Sequence, residues 1–178
     1  MPSVKGKERI IMPEERIFMY CGTGYGRSAA AIGQSIRYAC EGRSVFVVQF
    51  LKGKARAELD YLKKLEPEIK LFSFDKFDAC YSDLNEEEKA EERLHILNAL
   101  NYAKKVLVTS ECDVLVLDEV LDLAELGIVP EEDLISLIQE VGEDDILIMT
   151  CTERCEKLWP YADRVTEVQS LKETIPLN

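Results

Sequence analysis

The sequence predicts a single α/β domain built on a parallel sheet with helices on both faces. Three observations point there. Short apolar runs alternate with segments of helical period, the runs are continuous rather than alternating in polarity, and a glycine-rich loop joins the first run to the first helix. A strand apolar at every position is buried on both faces, which is the condition of a parallel sheet sandwiched by helices. A chain of 178 residues fits one such unit, since domains run roughly 100–200 residues. Its apolar fraction of 47% supplies a core.

Residues 1–15 are polar, carry proline and read as a flexible N-terminal arm, which leaves 16–178 for the domain. Arg16–Cys21 (RIFMYC) is a buried strand stopped by glycines. A helix follows, with Ala30, Ile32, Ile36 and Ala39 at helical spacing and Gly42 as its stop. Ser44–Phe50 is a second, β-branched strand, and Lys54–Glu66 a helix closed by Pro67. Ile69–Phe74 is a third strand, and Asp75–Asn85 an acidic, aromatic loop.

Asn85–Ser110 is a long helix whose acidic start (Glu86, Glu87, Glu88) and later Lys104 and Lys105 complement the helix dipole. The acidic run Glu86–Glu92 reads as a solvated face. Strands are expected at Asp113–Val120, Asp145–Thr150 and Arg164–Gln169. Helices are expected over PEEDLISLIQEV, with proline in its first turn, and over Cys155–Tyr161, whose Trp159 packs on the sheet.

Charge and cysteine usage bound the function. A formal net charge of −12 repels phosphate backbones and argues against nucleic-acid and anionic-membrane partners. It leaves room for a nucleotide, because a nest of backbone N–H groups holds phosphate against the global field. The N-terminus shows no signal-peptide stretch and no apolar run approaches the roughly 18 residues of a membrane span. Six scattered cysteines read as reduced thiols, and the compartment expected is the cytoplasm.

The segment Cys21-Gly22-Thr23-Gly24-Tyr25-Gly26-Arg27-Ser28 lies between a strand and a helix, the setting of a phosphate loop. Such a loop needs glycines to turn N–H groups inward, a helix N-terminus for positive potential, a long cation for the outer phosphates and a hydroxyl for Mg²⁺. Against G-x-x-x-x-G-K-[ST], Cys21 stands at the first glycine and Arg27 at the lysine. Gly22, Thr23, Gly24, Tyr25, Gly26, Arg27, Ser28 and Ala29 are therefore the candidate contacts of an ATP triphosphate. The bland alternative is a tight glycine-rich turn. A dinucleotide fingerprint fails, because its third glycine comes one residue too early here. The fold expected is thus a P-loop NTPase-like (RecA-like) sheet.

VLVLDEV ends a buried strand with Asp118 and Glu119, at the strand end where ligands bind in such sheets. With Ser28 they are the candidate Mg²⁺ ligands, since that metal prefers oxygen. The alternative is that Asp118 caps the next helix. His95, the only histidine, lies mid-helix among charges, and Cys151 and Cys155 lack the second pair that a zinc site needs.

These residues resemble the P-loop corrinoid adenosyltransferases, the ATP:cob(I)alamin family, whose loop has the form G-x-G-K-G-K-T. Gly22, Gly24, Gly26 and Ser28 match it, while Tyr25 and Arg27 replace its two lysines. Arg37, Gly42, VVQFLKG (47–53), the LDE of VLVLDEV, Ile128–Leu137 and ADRVTEVQSLK (162–172) are similar to the family's later segments, in order. The family's T-G-R-G reads Thr150-Cys151-Thr152-Glu153 here, its closing lysine–histidine reads Lys172-Glu173, and its aromatic pair beneath the corrin has only Phe74, Phe77 and Tyr81 as candidates.

The resemblance implies transfer of the 5′-deoxyadenosyl group of ATP to the cobalt of a reduced corrinoid, with release of triphosphate. Cobalt is the nucleophile, so the protein supplies no catalytic side chain. The resemblance also implies Arg37 and Gln49 near the nucleoside, Ser28 and Glu119 on Mg²⁺, a homodimer, and a separate reductant. Two other functions fit the residues: an ATP-binding module without transferase activity, and a P-loop kinase or ATPase.

Overall fold

A computed structural model describes residues 14–23, 26–54 and 62–172. The expected arm, Gly24, Tyr25 and most of the expected helix Lys54–Glu66 lie outside the described residues. The strands are β1 (Ile17–Cys21), β2 (Val45–Gln49), β3 (Ile69–Ser73), β4 (Val114–Asp118), β5 (Ile146–Cys151) and β6 (Arg164–Glu167). They form one parallel sheet in the order β3-β2-β4-β5-β1-β6.

Helices α1 (Gly26–Cys40), α2 (Glu86–Thr109), α3 (Asp122–Glu125) and α4 (Glu131–Gln139) cover it, with short 3₁₀ turns at Leu62–Leu65, Tyr81–Asp83 and Glu156–Tyr161. The sequence did not announce α3 or the turn at Tyr81. Both lie in loops, where propensity is weak and tertiary contacts decide.

Two apolar layers follow from strand alternation. Val114, Val116, Ile146 and Ile148 join Ala31 and Tyr38 of α1 on one face. Leu115, Leu117, Leu147 and Met149 join Ile96, Ala103 and Leu134 of α2 and α4 on the other. The buried stripe of α1 is Arg27, Ala31, Ser35 and Tyr38; of the residues at helical spacing, Ile32 and Ala39 pack partly buried against the same layer, while Ile36 is 40% exposed. The small residues Ala31 and Ser35 let the helix approach the sheet, and Ser35 satisfies its buried hydroxyl on Ile32 O at 2.8 Å.

Gly42 ends α1 at φ 86°, with its N–H on Ala39 O at 3.0 Å, a left-handed stop that glycine adopts freely. Asn85 and Glu88 close a capping box at the start of α2. Pro130 stands at the N-cap of α4, one residue earlier than expected. The acidic run is not wholly solvated, because Glu92 is buried and its carboxylate accepts from the Lys76 and Phe77 N–H groups at 3.1 and 3.3 Å. It ties the loop after β3 to α2.

Candidate phosphate and metal site

All six strands end at one edge, and β5 stands between β1 and β4. The loop after β1 and the acidic end of β4 therefore flank the end of β5. Register places Gln49 beside Asp118 and Leu117 beside Met149. At this edge two non-glycine residues adopt left-handed backbone, Leu51 at φ 66° and Glu119 at φ 65°. Each such residue costs on the order of 1–3 kcal/mol and persists only where its surroundings hold it. Here Tyr81 N–H bonds Leu51 O at 2.9 Å, and Glu119 N–H bonds Thr150 Oγ1 at 2.8 Å.

The side chains converge on Asp118, which is 1% exposed. Ser28 Oγ donates to its Oδ1 at 2.8 Å, and Thr150 Oγ1 to the same oxygen at 2.7 Å. The Lys52 ammonium donates to Oδ2 and also stands 2.8 Å from Ser28 Oγ and 3.6 Å from Glu119 Oε1. Arg27 bonds Glu119 Oε1 at 2.7 Å and Gly22 O at 3.1 Å. Asp118 does not cap a helix; α3 begins at Asp122 with Leu121 at its N-cap.

Burial pushes the Asp118 carboxyl up, but the charge and hydrogen bond of Lys52, with bonds from Thr150 and Ser28, hold it below its ordinary value. For Glu119 burial is the largest effect, and its carboxyl is raised despite Lys52 and Arg27. A group raised by folding contributes stability below its unfolded value and loses it as pH rises through the folded one. Glu119→Gln is therefore expected to gain stability relative to the parent as pH rises through and above the carboxylate range. Melting temperatures of both proteins across that range check the sign.

Of the expected residues, the structure brings together Gly22, Gly26, Arg27, Ser28, Asp118 and Glu119. Gly22 is held at φ 138°, with a hypothetical Cβ 2.0 Å from Val168 O. Thr23 and Ala29 are exposed at the loop and the first turn of α1. Gln49 is buried at the end of β2, and its Nε2 has no hydrogen-bond partner among the described residues. Arg37 is not part of the cluster: it lies nine residues beyond Ser28 on α1, about 14 Å along the axis. Its guanidinium is exposed beside Glu41 at 3.9 Å.

Lys52, Thr150 and the Asp122–Thr152 bond were missed. Asp122 accepts from Thr152 N–H at 2.9 Å and Thr152 Oγ1 at 2.6 Å, anchoring α3 to the end of β5. For Lys52 a signal existed, because a lysine directly after a continuous apolar strand emerges at the ligand-binding edge. Thr150 closes an apolar run and figured only as the first residue of the segment matched to the family's T-G-R-G, with no role given to it.

The aromatic candidates pack against the core on this side. Tyr81 is buried, while Phe74 and Phe77 pack against the same core, and the Phe74 ring lies 5.3 Å from that of Tyr102. Beside the carboxylates opens a cavity of about 420 Å³, lined by Leu51, Lys52, Tyr81, Glu119, Asp122 and Leu126 among others.

Ser28, Asp118 and Glu119 offer oxygen donors only, which fits a hard divalent cation. No group of three or more His, Cys, Asp or Glu ligands forms among the described residues. A Mg²⁺ here would thus take the rest of its shell from phosphate oxygens and water, as that ion does at phosphate sites. No described helix is long and apolar enough to cross a membrane.

The fold has known relatives. A KaiC-like protein from Pyrococcus horikoshii superposes with a TM-score of 0.59 at 19% identity, covering 89% of this chain and 75% of that one. The fold is that of the P-loop NTPases. The corrinoid adenosyltransferase of Escherichia coli K12 is 24% identical over 157 residues, 88% of this chain and 77% of its own length. That of Salmonella typhimurium is 27% identical over 162 residues, 89% of this chain and 80% of its own length. Residues 14–176 match the signature of the ATP:corrinoid adenosyltransferases BtuR/CobO/CobP, and the chain belongs to that family.

Proposed function

We propose that the protein transfers the 5′-deoxyadenosyl group of ATP to the cobalt of a reduced corrinoid and releases triphosphate. The observation that carries this reading is the family match across residues 14–176. The chemistry balances without a protein nucleophile. The electron pair of Co(I) forms the bond to C5′, the C5′–O bond breaks, and triphosphate leaves with that pair.

The protein's work is then to position the two substrates and to stabilise charge on the leaving group. The loop Gly22–Ser28 and the N-terminus of α1 meet the triphosphate, with Arg27 as a cation beside it. Ser28, Asp118 and Glu119 would hold Mg²⁺, which when bound would supply neutralisation of phosphate charge. Gln49, which the family resemblance puts near the nucleoside, is buried with a spare donor, and in this reading it meets the nucleoside. The cavity over Leu51, Tyr81 and Leu126 is the side from which the corrinoid approaches. The same reading takes a cytoplasmic homodimer served by a separate reductant; six free thiols suit a reducing compartment.

A second reading, an ATP-binding module without transfer, has one observation in its favour. Where the family resemblance puts an arginine after β5, this chain has Thr152 and Glu153. The nearby Arg154 is turned onto Glu167 at 2.9 and 2.8 Å on the surface. The test is anaerobic incubation of the protein with ATP, Mg²⁺ and chemically reduced corrinoid. Adenosylated corrinoid and triphosphate in equal amounts are expected. Nucleotide binding without product would establish the module instead, and no nucleotide binding would reject both.

A further inference from the structure

We propose that Lys52, on the turn after β2, is the phosphate-binding lysine of this site, doing from another strand end what the loop's own lysine position does not. The proposal rests on the nucleotide reading above and assigns a residue to it. The loop position carries Arg27, whose guanidinium is committed to Glu119 at 2.7 Å and to Gly22 O at 3.1 Å. A planar fork held at two points is a poor substitute for a compact ammonium that follows phosphate oxygens. The compact ammonium is nevertheless present. The Lys52 side chain is 6% exposed, and Nζ lies 2.8 Å from Ser28 Oγ, in the first turn of the helix whose N-terminus faces the phosphates.

The backbone is built to put it there. Leu51 takes a left-handed turn at φ 66°, and Gly53 follows at φ 71°. A Cβ on Gly53 would fall 2.4 Å from Ala79 O and Asp78 O. Lys52 O accepts from the Cys80 thiol at 3.4 Å, and Lys54 N–H bonds Phe77 O at 3.0 Å. The residue is thus clamped between a strained turn at Leu51, a glycine turn at Gly53 and the loop after β3, an arrangement a solvated surface lysine does not need.

Its position has a second consequence. The ammonium stands between Ser28 Oγ and the Asp118 carboxylate, the same two oxygen donors a divalent cation would use. Lys52 and the metal therefore compete for one seat. When metal and nucleotide arrive together, the ammonium passes from Asp118 to the phosphate oxygens beside it, and the carboxylate turns to the metal. Metal alone must displace a paired ammonium with nothing to receive it, so the protein discriminates for the metal–nucleotide complex.

Lys52→Met tests this, with ATP and Mn²⁺ titrated separately by calorimetry and Mn²⁺ also read by its paramagnetic resonance signal. Metal-free ATP is expected to bind at least about tenfold more weakly, because the ammonium gives donors to Asp118 and Ser28 and keeps a third for a phosphate oxygen even while paired, the worth of a charge-assisted hydrogen bond. Mn²⁺ alone is expected to bind more tightly, because two oxygen donors are released. Opposite signs separate this role from a structural one, which would weaken both. Unchanged ATP affinity, or both affinities weakened together, would overturn the proposal.

Should Lys52→Met fail to fold, Lys52→Met with Asp118→Asn removes both charges. It is expected to bind metal-free ATP about tenfold more weakly than Asp118→Asn alone, and equal affinity overturns the proposal. A parent protein that binds no ATP would instead sink the nucleotide reading itself.

Discussion

Asp118→Ala is expected to destabilise the protein by about 3–5 kcal/mol, the cost of leaving one member of a buried ion pair without its partner. Asp118 is 1% exposed, and the Lys52 side chain beside it 6%. The carboxylate also accepts from Ser28 and Thr150, so truncation leaves an ammonium and two hydroxyls short of an acceptor. Glu119, 3.6 Å from the ammonium, offsets part of this. The loss should therefore fall toward the lower end of the range, and less for Asp118→Asn, which keeps the volume and an acceptor.

The sign with pH is fixed by the lowered Asp118 carboxyl. A carboxyl depressed by folding contributes stability above its unfolded value and loses it as pH falls through the folded one. The gap between parent and variant should be full at neutral pH and shrink in acid. Urea unfolding at several pH values, with the slope unchanged, measures it. A difference under about 1 kcal/mol at neutral pH, within what exposed pairs give, would mean that Lys52 and Asp118 do not form the buried pair described.

Gly22→Ala is the second large effect. A Cβ there meets Val168 O at 2.0 Å and the Val168 carbonyl carbon at 3.0 Å, on a backbone at φ 138°. Neither the clash nor the conformation relaxes locally, because Val168 N–H is itself bonded to Cys21 O at 2.7 Å. The strand end and the loop must shift together. A stability loss of about 2–3 kcal/mol is expected, with ATP affinity reduced on the order of tenfold or more as the loop's N–H groups turn away.

Gly33 supplies the control, since a Cβ there meets nothing within 4 Å in the interior of α1. Gly33→Ala should stabilise by roughly 0.5–1 kcal/mol through helix propensity alone and leave ATP binding unchanged. Thermal unfolding and calorimetry on the two variants would separate a conformational requirement from a general intolerance of substitution. A Gly22→Ala protein that matched the parent in both would refute the packing described.

By itself the sequence determined the architecture. Short, β-branched apolar runs such as Val114–Leu117 read as strands covered on both faces, and alternation with helices makes the sheet parallel. It also determined that the loop Gly22–Ser28 and the pair Asp118–Glu119 lie at one edge, because every strand of such a sheet ends there. The sequence did not carry the choice of partners within that edge. Lys52 and Thr150 reach Asp118 from two strands that flank β4, and strand order is a tertiary outcome of packing that no local pattern encodes.

Helical spacing alone did not pick out the buried stripe of α1, because Ala31 is small and Ser35 polar, yet their size is what lets the helix close on the sheet. Glu92 looked solvated because charge is usually exposed. It is buried because two backbone N–H groups after β3 need an acceptor, a demand set by the loop's fold rather than by the helix that meets it.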